Sequence, residues 1–214
     1  MNKYLKQYTE SGILNLLEYY LPIKKIFERK KANKEITEAF AVINILNREI
    51  KYQQKDKEIA IFDLGCGKGY FSMLSSWIFS YTELFACDYN TNMDIGHFDF
   101  FSNVTYEQIN LFDTKIINFI NELDYDEIIL VGIHSCKQLA IRNIELFNQT
   151  KAQKLILIPC CELKNPYKRQ IYGIGNHYDA WSLYLFNQIL TEHKIIKKDL
   201  TILSPKNNVI YAYK

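Results

Sequence analysis

The chain has 214 residues, 48% of them hydrophobic and 23% charged, with a formal net charge of +2. That is enough apolar chain for one full-sized domain with its own core, so disorder is excluded as the main state. Eight Gly, four Pro and no self-similar period exclude collagenous and repeat architectures, and the small charge neither requires nor forbids a nucleic-acid partner.

Residues 1–55 read as a helical N-terminal cap. Apolar residues at helical spacing run from Tyr4 to Leu21 and stop at Pro22. A second run covers Lys34 to Tyr52, with Ile36, Phe40, Ile43, Leu46 and Ile50 on one face. Between the runs lie Lys24, Lys25, Arg29, Lys30, Lys31 and Lys34, either a solvated helix face or a surface for phosphates. Lys3, Lys6 and Glu10 break any secretory signal, and no apolar run reaches the roughly 18 residues that a membrane span needs. Cys66, Cys87, Cys136, Cys160 and Cys161 show no regular framework. A reduced, cytoplasmic setting with free thiols is therefore expected.

From Glu58 onward, short apolar runs alternate with helical stretches. The pattern predicts strands at Ile59–Leu64, Leu84–Asp88, Thr105–Gln108, Glu127–Ile133 and Lys154–Pro159. Helices are predicted at Tyr70–Phe79, Thr114–Leu123, Lys137–Gln149 and, longer, Asp179–His193. Two last strands, Leu200–Leu203 and Val209–Tyr213, are joined by the polar stretch Ser204–Asn208 as a hairpin. Residues 56–214 thus predict an α/β domain. Its sheet is Rossmann-like and seven-stranded, mostly parallel with one antiparallel strand from the C-terminal hairpin, and helices lie on both faces.

The segment Asp63-Leu64-Gly65-Cys66-Gly67-Lys68-Gly69 ends the first strand and opens a helix. Its glycines allow a tight turn and close approach of a ligand to the main chain. The spacing is G-x-G-x-G, shorter than the dinucleotide pattern G-x-G-x-x-G. Asp63 would repel a pyrophosphate and suits a ligand carrying an ammonium group. Asp88, followed by Tyr89, ends the second strand, where an acid accepts hydrogen bonds from ribose hydroxyls. The third strand runs into Asn110-Leu111-Phe112-Asp113, where an amide or carboxylate can meet an adenine amino group.

Together these stations resemble the class I S-adenosylmethionine-dependent methyltransferases. The resemblance implies S-adenosylmethionine as cofactor, held by Asp63, Gly65, Gly67, Lys68, Gly69, Asp88, Tyr89, Asn110 and Leu111. A narrower resemblance rests on four segments: Gly65-x-Gly67-Lys68-Gly69-Tyr70-Phe71-Ser72, Lys30-Lys31-Ala32-Asn33-Lys34-Glu35, Gly132-Ile133-His134-Ser135-Cys136-Lys137 and Pro159-Cys160-Cys161. These are similar to the motifs of a family that includes acceptor-stem tRNA 2′-O-methyltransferases. The same family holds the methyltransferase domain of the human glutathione-S-transferase-C-terminal-domain-containing protein. Lys137 departs from the family's Gly, and Glu162 stands where many relatives carry an aromatic residue or His.

His134, Cys136, Cys160 and Cys161 are the candidate catalytic residues, because strands four and five are neighbours in such a sheet. One reading makes His134 an acceptor-side base in a metal-free pocket shaped by the thiols. A second makes all four structural. In a third they bind zinc, or one Cys attacks a pyrimidine. Lys68 is either a solvated loop residue or a point charge for the cofactor carboxylate or a phosphate. The expected activity is methylation of RNA, tRNA or rRNA, contacted through Lys24, Lys25, Lys30, Lys31 and the aromatic, basic loop Tyr167–Trp181. The alternatives are a small-molecule or protein acceptor, and an inactive cofactor-binding module.

Overall fold

The computed structural model describes residues 1–30, 32–51, 57–163 and 176–214. Strand β1 (Ile59–Leu64) is buried at every position, and β4 (Glu127–Ser135) and β5 (Lys154–Pro159) are buried along most of their length. Strands apolar on both faces need cover on both sides, and the middle of a parallel sheet supplies it. With β2 (Glu83–Asp88), β3 (Val104–Gln108), β6 (Lys194–Lys198) and β7 (Asn208–Tyr213), they form one seven-stranded sheet in the order β3-β2-β1-β4-β5-β7-β6. The first five are parallel, and β7 runs antiparallel to both β5 and β6. The fold expected from the sequence is the fold observed.

Alternate residues of the central strands feed two cores. Ile61, Ile129, Val131 and Ile156 pack under α4 (Ala32–Lys51) and α5 (Tyr70–Ile78). Phe62, Leu64, Leu130 and Leu157 pack under α6 (Lys115–Glu122), α7 (Gln138–Gln149) and the helix His177–Gln188, here α8. Three short helices, α1 (Lys3–Glu10), α2 (Ile13–Tyr19) and α3 (Leu21–Phe27), precede α4. Among the described residues no helix is long and apolar enough to cross a membrane.

Two elements differ from the sequence reading. The run Tyr4–Leu21 is not one helix. Gly12, at φ +77°, separates α1 from α2, and Pro22 sits in the first turn of α3 rather than ending a helix. A first-turn proline has no N–H to lose there and its fixed φ suits the helix. The strand predicted at Leu200–Leu203 lies instead at Lys194–Lys198, and α8 ends at Gln188. The lysines of β6 belong to an exposed edge strand, where charge discourages further pairing. Residues 199–207 form the connection, closed by Asp199 N–H donating to the Asn207 carbonyl at 2.8 Å.

The end of β4 is irregular. Its register with β5 shifts between Ile133 and Ser135, and His134 has φ +57°. Just beyond, Lys137 takes φ +51° and ψ −119°, a conformation that only glycine adopts without strain. Replacing Lys137 with Gly is expected to stabilise the fold by about 1 kcal/mol, strain relief of about 1–3 kcal/mol outweighing the extra chain entropy of glycine. Urea denaturation of the two proteins measures it.

Candidate active site

The first strand-to-helix turn is wound tightly. Gly65 and Cys66 both donate their N–H to the Cys87 carbonyl, at 2.8 and 3.0 Å, and Gly69 N–H donates to the Cys66 carbonyl at 2.9 Å. Gly65, Gly67 and Gly69 all have positive φ. A Cβ on Gly69 would stand 2.3 Å from the Phe98 ring, so only glycine fits. A Cβ on Gly67 would meet nothing within 4 Å, so this part of the loop faces open space. Asp88 fixes the loop from outside, its carboxylate accepting from Gly67 N–H at 3.0 Å and from Asn90 N–H at 3.0 Å.

That open space is a cavity of about 440 Å³. Its walls include Asp63, Gly65, Cys66, Gly67 and Lys68 from the first strand and its loop, and Lys34, Glu35, Ile133, His134 and Cys136 from α4 and the end of β4. Asp63 is fully buried and accepts a hydrogen bond from Ser72 Oγ at 2.7 Å. Loss of water pushes its carboxyl up to about 7, against the opposing effect of the Ser72 bond.

The remaining predicted cofactor residues lie beyond these walls. Tyr89 is exposed at the end of β2. Asn110 Oδ1 accepts from Phe112 N–H at 3.0 Å and shapes the turn after β3. Leu111 is buried, and its carbonyl accepts from Arg142 Nε at 2.6 Å. Arg142 was not singled out by sequence reasoning. Its buried guanidinium, also donating to the Asp113 carbonyl at 3.3 Å, pins the 110–113 turn to α7.

The four candidate catalytic residues do not form one cluster. The positive φ at His134 turns its imidazole toward α4, where Nε2 contacts Glu38 and lies 3.5 Å from Glu35. Glu38 is completely buried. The thiols of Cys136, Cys160 and Cys161 form a second group, all within 4.8 Å of one another. Backbone bonds from Lys137 N–H to the Cys161 carbonyl and from Cys160 N–H to the Ser135 carbonyl tie the ends of β4 and β5 together. Burial pushes the Cys160 thiol well above the ordinary thiol range, and its hydrogen bonding with Cys161 adds to this. A group so protonated is a poor nucleophile. Glu162 pairs with Lys206 at 3.4 Å, and its own backbone N–H, then Lys206, hold its carboxyl below the usual range.

Glu35 and Glu38 had no assigned role in the sequence. Their signal is a pair of acids three apart on the inward face of a helix. The Tyr167–Trp181 segment needs one correction. Trp181 lies on α8 and is fully buried in the core, where its ring fills the space between helix and sheet and is not part of a contact surface. Residues 164–175, and Lys31, lie outside the described residues.

The profile of a family described as a methyltransferase domain matches residues 30–165, a stretch that contains every candidate cofactor and catalytic residue. The chain belongs to this methyltransferase-domain family. Among solved structures, the methyltransferase domain is similar to the CurJ carbon methyltransferase, with 14% identity and a TM-score of 0.58 over 95% of this chain and 60% of that one. It is similar also to the DszA carbon methyltransferase, with 13% identity and a TM-score of 0.55 over 88% of this chain and 56% of that one. The Methanococcus jannaschii fibrillarin pre-rRNA processing protein matches with 11% identity and a TM-score of 0.51, over 73% of this chain and 66% of that one. At these identities the likeness shows a shared fold, and the chain spans little over half the length of the two carbon methyltransferases. No curated protein matches the sequence.

The cofactor of the domain is S-adenosylmethionine. The residues fit it. Gly67 leaves space against its main chain, and the buried Asp63 carboxyl offers a partner for an ammonium group. When bound, the cofactor supplies an electrophilic methyl group.

Two outcomes are expected. The folded-state pKa of Asp63 is raised above its unfolded value of about 3.9, so its contribution to stability is full below that pH and is lost as pH rises toward about 7. The loss is on the order of 4 kcal/mol and levels off above pH 7. Asp63→Asn should therefore gain thermal stability over wild type across pH 4–7, measured by thermal melts at each pH. Separately, iodoacetamide at pH 8 should modify the exposed Cys161 well before Cys160. Peptide mass spectrometry over a time course checks the order.

Proposed function

We propose that the domain transfers the methyl group of S-adenosylmethionine to RNA, at a hydroxyl of the acceptor. The observation that carries this reading is the positive charge that lines the cavity and precedes α4 in the chain. Lys34 and Lys68 line the cavity, Lys68 is exposed, and Lys25, Arg29 and Lys30 are exposed on the approach to α4. A polyanion is the natural partner of such charge. The fold does not choose the substrate, since carbon methyltransferases and a pre-rRNA processing protein share it. The G-x-G-K-G, H-x-C and P-C-C motifs support RNA, because they resemble those of acceptor-stem tRNA 2′-O-methyltransferases.

The chemistry asked of the protein is modest. The acceptor oxygen must lie in line with the breaking sulfur–carbon bond, in a site that excludes water. Asp63 and the glycine loop position the donor, and His134 lines the cavity from the end of β4, on the acceptor side. The methyl carbon gains an oxygen–carbon bond, the sulfur keeps the electron pair of the old bond, and the hydroxyl proton leaves.

RNA affinity should fall steeply with salt, because each phosphate contact releases counterions. Replacing Lys25, Arg29 and Lys30 with Ala together should flatten the log–log slope by about 2, at roughly 0.7 per contact on a single strand. Filter binding from 50 to 300 mM salt measures it. Binding indifferent to salt, or absent at low salt, favours a small-molecule or protein acceptor, and mass spectrometry of nucleosides from cells with and without the gene then decides between RNA and these.

A further inference from the structure

We propose that Glu35, Glu38 and His134 hold a divalent first-row cation in the wall of the donor cavity. The acceptor hydroxyl completes its coordination, and this last part rests on the function proposed above. One carboxylate oxygen from each Glu and one His134 ring nitrogen lie within 4.8 Å of one another. Donors about 2.0–2.2 Å from a shared ion stand roughly 3–4.4 Å apart; His134 Nε2 and Glu35 Oε2 stand at 3.5 Å, whereas Glu38 touches His134 more closely and must draw back for an ion to enter.

Glu38 and His134 also leave polar atoms unsatisfied. Glu38 has no exposure at all, yet neither of its oxygens makes a hydrogen bond among the described residues. His134 Nε2 likewise makes none, although it touches Glu38. Imidazole and carboxylate meet without the alignment of a shared proton. Lone pairs brought together in this way are arranged around a third atom. Lys34 Nζ stands 4.0 Å from Glu38 and is half-exposed, one positive charge against two carboxylates.

The backbone is committed to this arrangement. Glu35 and Glu38 project from one face of α4, three residues apart. The bulge at the end of β4 and the φ of +57° at His134 turn the imidazole out of the strand ladder toward them. Strain of this kind persists where the surrounding structure fixes it, and it gathers at functional sites. Glu35 and His134 also line the cavity that contains Asp63 and Gly67, so open coordination positions face the donor. Two carboxylates with one imidazole suit Mn²⁺, Fe²⁺ or Zn²⁺ better than a purely oxygen-seeking ion.

A hydroxyl bound there becomes more acidic. It gives its proton to the Glu35 carboxylate, which is partly exposed and passes it to water. The oxygen then takes the methyl carbon as the sulfur–carbon bond breaks, and the sulfur leaves as a neutral thioether.

The test is Mn²⁺ titration of the full chain, without cofactor or RNA, followed by electron paramagnetic resonance and calorimetry. One saturable site per chain is expected, weakened at least tenfold in Glu38→Gln and in Glu35→Gln, and kept in Cys161→Ser. Glu35 is only partly buried, so its variant tests the site should Glu38→Gln fail to fold. No saturable Mn²⁺ up to 1 mM, or affinity unchanged in the Glu variants, overturns the proposal and leaves His134–Glu38 as a buried ion pair. Loss of the Mn²⁺ site in Cys161→Ser but not in the Glu variants would also overturn it. The salt dependence of RNA binding is independent of this titration, so the failure of either reading is visible without the other.

Discussion

The position of β1 between β2 and β4 is the constraint from which the site follows. From β1 the chain crosses through α5 on one face to reach β2, and from β4 it crosses through α7 on the other face to reach β5. Crossovers that leave neighbouring strands in opposite directions leave a gap above the strand ends. Asp63 and the glycine loop rise from β1, Asp88 from β2, His134 and Cys136 from β4, and Cys160 from β5. Residues distant in the chain are gathered because a parallel sheet ends all its strands on one side.

The gap also holds charges of both signs. The acids Asp63 and Glu35 line it, Glu38 is buried against His134, and Asp88 holds the loop from outside. Burial, and next the nearby Asp63 carboxylate, raises the thiols of Cys66 and Cys87 far above the ordinary range, which keeps both as inert packing groups. Two lysines, Lys34 and Lys68, line the gap as well. The acids suit a donor that carries a sulfonium and an ammonium group. The lysines suit an anionic acceptor. On the proposed function, donor and acceptor would each meet the opposite charge.

The sequence was most legible where interactions are local or burial is complete. β1 and β5 span Ile59–Leu64 and Lys154–Pro159, as their unbroken apolar runs suggested. The glycine loop was legible because its glycines and Asp63 lie within one short stretch of sequence, although Cys87 and Asp88, far along the chain, complete its hydrogen bonds. β6 was missed because an edge strand exposes lysines and resembles a polar loop. Trp181 was misread because an aromatic residue beside charged ones looks like a contact surface, and only the packing of α8 on the sheet shows it buried. The meeting of Glu38 with His134 was not legible either. It depends on a bulge at one residue of β4 and on how α4 lies across the sheet, and neither leaves a periodic trace.

The two strained residues near the end of β4 carry the last step. His134 and Lys137 are the only described non-glycine residues with positive φ, and they bracket Ser135 and Cys136. Such strain is tolerated where neighbours hold the segment in place. Here Asn143 donates to Ser135 Oγ at 2.8 Å, and main-chain bonds tie Cys160 to Ser135 and Lys137 to Cys161. Gly132 makes this possible, since a Cβ there would come within 2.2 Å of the Asn143 amide and 2.6 Å of Ser135 Oγ. The small residue, the buried amide and the two loop bonds form one brace behind His134. What the brace secures is the direction of an imidazole: without it β4 would continue as regular strand, His134 would follow the pleat, and the buried Glu38 on α4 would lose its contact with the ring.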